Sequence, residues 1–150
     1  MTHLDARQLH EGWTLTATGG PVPEHLEGRS VPAAVPGTSH TALLDAGLIP
    51  DPYLDRNEVA LAWMHRASWR FATRFEAAPA AADERVDLAF DGLDTVATVT
   101  LNGTEVLSTA NMHRSYRVDV RSLVGESNEL VVDFSSALEY AEQVEAQLGF

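Results

Sequence analysis

A chain of 150 residues with 45% apolar composition is globular, and roughly 70% of its unfolded surface can be buried in one compact core. The formal net charge of −12, with arginine as its only strongly basic residue type, sets it against phosphate backbones and anionic membrane surfaces. No apolar run approaches the roughly 20 residues of a spanning helix, and the absence of cysteine excludes disulfides, thiolate metal sites and a cysteine nucleophile.

The opening residues MTHLDARQLHEGW are charged from the start and contain no apolar signal-peptide core, so a cytoplasmic location is expected. Leu9–Thr18 then reads as a short strand with Trp13 and Leu15 on its buried face. The run from Gly19 to Gly37 carries Pro21, Pro23, Pro32 and Pro36. Proline cannot donate to a ladder, so extended connections and an edge strand are expected there. A short helix follows near 39–46. Ser39 or Thr41 is expected to cap it, Leu43 and Leu44 to give its apolar side, and Gly47 to end it before Pro50. Asp51–Glu58, DPYLDRNE, has no regular period and reads as a polar surface loop.

Leu61–Phe75 contains a clear strand, with Trp69, Phe71, Thr73 and Phe75 on one face and Arg70, Ala72 and Arg74 on the other. After a linker at Ala77–Asp83 comes the stretch on which the rest is organised, DLAFDGLDTVATVTLNGT from Asp87 to Thr104. Leu88 and Phe90 alternate with polar neighbours, as do Ala97, Val99 and Leu101. Asp91-Gly92 interrupts the first run. Asn102-Gly103 ends the second in a tight hairpin, with Val106 and Leu107 on the return strand. Tyr116–Val120 and Glu129–Phe134 supply further strands. Short antiparallel strands with frequent turns make the expected fold a mainly β sandwich or jelly roll, in one domain over 1–150. A last helix is expected near 136–148. Ser136 and Glu139 form its capping box, and the stripe of Leu138, Ala141, Val144 and Leu148 is expected to dock on the sheet.

Candidate chemistry is thin. Asp51, Asp55 and Glu58 cluster in one loop, but nothing in a loop fixes the separation of two carboxylates. The six histidines show no His-Glu-x-x-His spacing, and Gly19-Gly20 lacks the rest of a phosphate loop. Neither a metal site nor a cofactor site is expected. For a sugar, the aromatic candidates are Trp13, Trp63, Trp69 and Tyr53, with Trp13 and Trp69 expected in the core.

PGTSHTALLDAGLIPDPYLDRNE, LAWMHRASWRF, DLAFDGLDTVATVTLNG and NMHRSY, in that order, resemble the N-terminal domain of the bacterial β-mannosidases of glycoside hydrolase family 2. The resemblance implies a galactose-binding-like jelly roll that precedes immunoglobulin-like domains and a catalytic TIM barrel. It implies hydrolysis of terminal β-mannose with retention, by two barrel glutamates roughly 5 Å apart. Neither those glutamates nor the family's aromatic-Gly-Trp-Asp-Trp segment matches residues of this chain, so no catalytic residue is assigned within it. The expected role is to pack on the barrel and help wall the pocket, with Asp51, Tyr53, Asn57, Glu58 and Trp63 as candidate pocket or barrel-facing residues. The expected partners are the other domains of the enzyme and a β-mannoside oligosaccharide or glycan. A free-standing carbohydrate-binding module is the alternative, as is the same domain of a β-galactosidase, β-glucuronidase or exo-glucosaminidase.

Overall fold

The computed structural model describes residues 5–81 and 83–149. Among these residues eight strands run in chain order: β1 Trp13–Gly19, β2 Ser30–Ala33, β3 Ser68–Glu76, β4 Asp87–Phe90, β5 Val96–Leu101, β6 Thr104–Ala110, β7 Tyr116–Asp119 and β8 Ser127–Ser135. Three helices accompany them, α1 Ser39–Asp45, α2 Asn57–Ala60 and α3 Ala137–Leu148. Six strands form one antiparallel sheet in the order β2-β1-β3-β8-β5-β6, while β4 and β7 pair in a second, two-stranded sheet. The result is the mainly β, antiparallel sandwich that the alternating pattern predicts.

Period-two alternation decides which side chains enter the core. Leu15, Trp69, Phe71, Ala97, Val99, Leu101, Leu130 and Val132 are all buried on the inner face of the large sheet. Leu88, Phe90 and Val118 pack against them from the small one. The opposite face of the large sheet is polar and carries two ion pairs, Arg70–Asp133 and Arg74–Glu129. Each joins residues directly across the β3–β8 ladder, where opposite charges help to hold register. Pro32 sits in β2, an edge strand, where a missing N–H costs no ladder bond.

The Asn102-Gly103 turn joins β5 to β6 as expected. Both residues have positive φ, +52° and +80°, the geometry that matches a hairpin to the twist of its strands. Asn102 also bridges outward. Its Nδ2 donates to the Leu123 carbonyl at 2.8 Å and to Asn128 Oδ1 at 3.0 Å, and its Oδ1 accepts from the Glu129 N–H at 2.8 Å.

Asp91-Gly92 ends β4, as the interruption of the alternating run implies, and β4 pairs with β7 outside the large sheet. Several local expectations change. Thr38 caps α1, rather than Ser39 or Thr41. Its hydroxyl accepts from the Thr41 N–H, and the Thr41 hydroxyl accepts from the Thr38 N–H, each at 3.1 Å. The polar loop is partly helical, as α2 is followed by a 3-10 turn at Ala62–Arg66, so β3 starts only at Ser68.

The tail departs furthest from expectation. Only the forward half of its capping box forms, with Ser136 Oγ accepting from the Glu139 N–H at 3.1 Å. No described residue of α3 is fully buried. Leu138 and Leu148 are exposed and Val144 is half-buried, so the stripe does not dock on the sheet.

Candidate functional site

The segment from Asp51 to Arg66 is held between α1 and β3 as a chain of short turns. Upstream, the Leu48 N–H bonds back to the Leu43 carbonyl, and Ile49 is buried. Downstream, Leu61, Met64 and Ala67 recur every three residues and are all buried. That spacing suits a 3-10 turn, whose side chains at i and i+3 lie above one another. Gly20 makes this seat close. A Cβ there would lie 2.3 Å from the Arg66 carbonyl oxygen, and its φ is +88°, so only glycine lets the end of β1 pass beneath the turn.

Hydrogen bonds within the segment set its shape. Asp51 Oδ1 accepts from the Tyr53 N–H at 2.9 Å, and its carbonyl accepts from Asn57 Nδ2 at 2.9 Å and the Leu54 N–H at 3.2 Å. The Asn57 N–H returns to the Leu54 carbonyl at 3.1 Å. Asp51 and Asn57, two of the residues singled out from sequence, therefore meet, and each spends hydrogen-bonding capacity inside the turn. Glu58 is exposed beside them. Tyr53 projects with 95% of its surface exposed, followed by the exposed Leu54 and Val59. Trp63 is half-buried and tilts against the buried Trp69, ring centroids 6.1 Å apart. Trp13 and Trp69 are core residues, as expected.

This geometry makes a firm surface, not an enclosed reaction site. No group of three or more metal-ligating side chains occurs among the described residues. Two open clefts lie beside the Glu76–Ala80 segment, one against Glu126 and Ser127 and the other against Asp119, Arg121, Ser122 and Val124. Neither is lined by a residue between Asp51 and Trp63. None of the described helices is long and apolar enough to cross a membrane.

Two features beside the segment have no counterpart in the sequence reading. The rings of His40 on α1 and His65 on the 3-10 turn lie 6.2 Å apart. Burial, and then the neighbouring His65, hold the His40 imidazole below the ordinary histidine value of 6.5. Beyond them, Ser136 Oγ donates to the His65 carbonyl at 2.6 Å, and Arg66 makes a two-pronged bond to Glu142 at 3.0 and 2.7 Å. That hydrogen-bonded guanidinium holds the Glu142 carboxyl below its usual range. The only sequence signal for these anchors is the cluster of His65 and Arg66 in a turn, with a glutamate-bearing helix later in the chain.

The His40 environment has a pH consequence. A histidine whose folded pKa is lowered takes up its proton more readily when unfolded. Its contribution to stability is therefore complete above about pH 6.5 and is lost as the pH falls from there through the folded value. The decline in melting temperature between pH 7.5 and pH 5.5 is expected to be smaller in His40→Gln than in the parent. Parallel declines would show that His40 is not a source of acid sensitivity.

Comparison with known proteins places this fold. Residues 13–150 match the family model described as glycosyl hydrolase 2 galactose-binding domain-like. The chain is 41% identical over 130 residues to β-mannosidase B of Thermothelomyces thermophilus, covering 86% of this chain and 15% of that protein. It is 38% identical over 113 residues to the β-mannosidase of Mus musculus, covering 75% and 13%. Among solved structures, the β-D-mannosidase of Dictyoglomus thermophilum superposes with a TM-score of 0.83 at 27% identity, over 95% of this chain and 17% of that one. The β-glucuronidase of Ruminococcus gnavus shares the fold, with a TM-score of 0.59 at 17% identity over 87% and 20%. The chain thus spans only 13 to 15% of the length of these curated relatives. It belongs to the galactose-binding-domain-like family of glycosyl hydrolase 2.

Proposed function

We propose that this chain is the non-catalytic N-terminal sandwich domain of an exo-acting, retaining β-mannosidase, which packs on the catalytic barrel and helps wall its pocket. The observation that carries the reading is the match to β-mannosidases from a fungus and a mammal, at 41% and 38% identity. The superposition on a bacterial β-mannosidase supports it.

The surface chemistry of the Asp51–Trp63 segment fits that role. Tyr53, Leu54 and Val59 are exposed apolar groups on a turn already made rigid by its own hydrogen bonds. Such a surface suits packing against another protein face more than holding a free sugar. Asn57 keeps the turn closed through the Asp51 carbonyl, which leaves Tyr53 and Glu58 as the groups able to reach outward to the barrel or a pocket sugar.

The purified chain tests this directly. It is expected to release no aglycone from an aryl β-mannoside, because retention needs two carboxyl groups roughly 5 Å apart across the glycosidic bond. It is also expected to give no binding heat with β-1,4-mannotriose up to several millimolar, where a Kd of about 1 mM is worth only about 4 kcal/mol. Turnover that survives further purification would overturn the non-catalytic assignment. A submillimolar Kd would favour an independent carbohydrate-binding module.

A further inference from the structure

The last helix is attached to the sandwich by one side and leaves the other largely exposed. Its attachment is polar. Ser136 reaches the His65 carbonyl, and Glu142 takes both prongs of Arg66. Glu139 also lies on this side and adds to the negative field at Arg66.

At about 100° per residue, Val144 and Tyr140 each lie about 160° around the helix from Glu142, and Leu148 about 120°. They form a stripe with Ala137 and Ala141 that faces away from the polar anchor. Tyr140 is 44% exposed and Leu148 66%, so the stripe has no adequate cover within this domain. A helix of this length is marginal in water unless its apolar face is packed.

We infer that this stripe is the docking surface for another domain of the longer glycosidase, one that presents an apolar patch edged by arginine or lysine. The inference rests on the proposed β-mannosidase reading and names a second contact face for it, on α3 instead of the Asp51–Trp63 segment. Two observations select this occupant. The relatives are more than six times the length of the matched segment, so the family's longer chains hold further domains. The helix carries Glu139, Glu142 and Glu145 and no basic residue, and among the described residues only Glu142 has an ion-pair partner. Glu145 borders the stripe. A second copy of this chain would bring the same glutamates and another net charge of −12 to the contact, whereas a cationic rim would complement them.

The test compares α3 in two settings. One is the chain as it stands. The other is a chimera in which residues 13–150 replace the matched segment of the Dictyoglomus thermophilum β-mannosidase. Amide exchange over Tyr140–Leu148 is expected to be fast in the chain alone and at least about tenfold slower in the chimera. The pair Val144→Glu and Leu148→Glu should leave the melting temperature of the chain alone within a few degrees, since Leu148 is exposed and Val144 only half-buried there. In the chimera it should restore fast exchange.

Fast exchange in both settings, in a chimera that hydrolyses an aryl β-mannoside, would overturn the docking face and leave the β-mannosidase reading standing. A chimera without hydrolysis would overturn that reading and this inference with it. Sedimentation of the chain alone as a dimer, abolished by Val144→Glu, would assign the stripe to a second copy and overturn the proposed occupant.

Discussion

Replacing Asn128 with leucine is expected to destabilise the domain by about 2–4 kcal/mol, more than most single changes outside the apolar core. Asn128 is 2% exposed at the start of β8, on the inward side that Leu130 and Val132 continue. Its Oδ1 accepts from the Gly125 N–H at 2.8 Å and from Asn102 Nδ2 at 3.0 Å. Its Nδ2 donates to the Gly125 carbonyl at 2.8 Å and more weakly to the Phe75 carbonyl at 3.4 Å. One side chain thereby ties the turn before β8 to the end of β3 and to the β5–β6 hairpin.

Leucine has the same number of side-chain heavy atoms and the same branching at Cγ, so lost packing contributes little. The cost comes from leaving donors and acceptors dry, at about 1–3 kcal/mol for each group that water cannot reach. In a domain of this size that corresponds to a fall in melting temperature of roughly 5–15 °C. Thermal or urea unfolding measures it directly. A loss below about 1 kcal/mol would show that water re-satisfies the Gly125 and Asn102 groups, and that the network is not a determinant of the fold.

Asn128 also marks a limit of what was legible in the sequence, where Gly125–Asn128 reads as a turn before a strand at Glu129–Phe134, whereas β8 already begins at Ser127. The alternation of β3, β5 and β8 shows plainly in the chain, because period two follows from strand geometry alone and assigns Trp69, Phe71, Val99, Leu101, Leu130 and Val132 to one face. The hairpin at Asn102-Gly103 is equally local, since few residue pairs accept two positive φ angles in succession. Asn128 falls on the same inward register as Leu130, and a polar residue there is a signal for a buried network. Its partners on β3 and in the hairpin are distant in sequence, so the pattern shows that a partner is needed without showing which.

Pairing across the two sheets was less accessible for the same reason. The pattern of Leu88 and Phe90 identifies a strand, but nothing local states that Asp87–Phe90 pairs with Tyr116–Asp119 instead of the adjoining Val96–Leu101. The direction of the α3 stripe was hidden too. Helical spacing groups Leu138, Ala141, Val144 and Leu148, yet the helix is seated through Ser136, Glu142 and Arg66, which leaves Leu138 on the anchored side and turns Val144 and Leu148 away from it. Amphipathicity shows that a face needs cover, not that this domain supplies it.

The candidate site divides in a similar way. Asp51, Tyr53, Asn57, Glu58 and Trp63 were chosen for their chemistry, and two of them prove to shape the turn. Asn57 and Asp51 hold it closed, while Tyr53 and Glu58 point outward. The three-residue recurrence of Leu61, Met64 and Ala67 was present in the sequence as a sign of local helical structure, though too short to stand out against a polar loop.

The second large effect concerns activity. Removing the matched sandwich domain from the Dictyoglomus thermophilum β-mannosidase is expected to lower kcat/KM for an aryl β-mannoside by about 100-fold or more, a loss of roughly 3 kcal/mol of transition-state stabilisation. The proposed role predicts that loss, because a domain that walls the pocket would exclude water and position the sugar, and misplacement by about 1 Å can cost about 100-fold. Supplying residues 13–150 of this chain in its place should recover most of it, to within about tenfold of the parent enzyme. The superposition at a TM-score of 0.83 over 95% of the chain gives the donor domain the backbone geometry to do so. The decisive measurement is therefore kcat/KM of that chimera beside the domain-deleted enzyme, both confirmed as folded. Recovery to within about tenfold of the parent is the result expected of a β-mannosidase sandwich domain, whereas a folded chimera no faster than the deletion would contradict it.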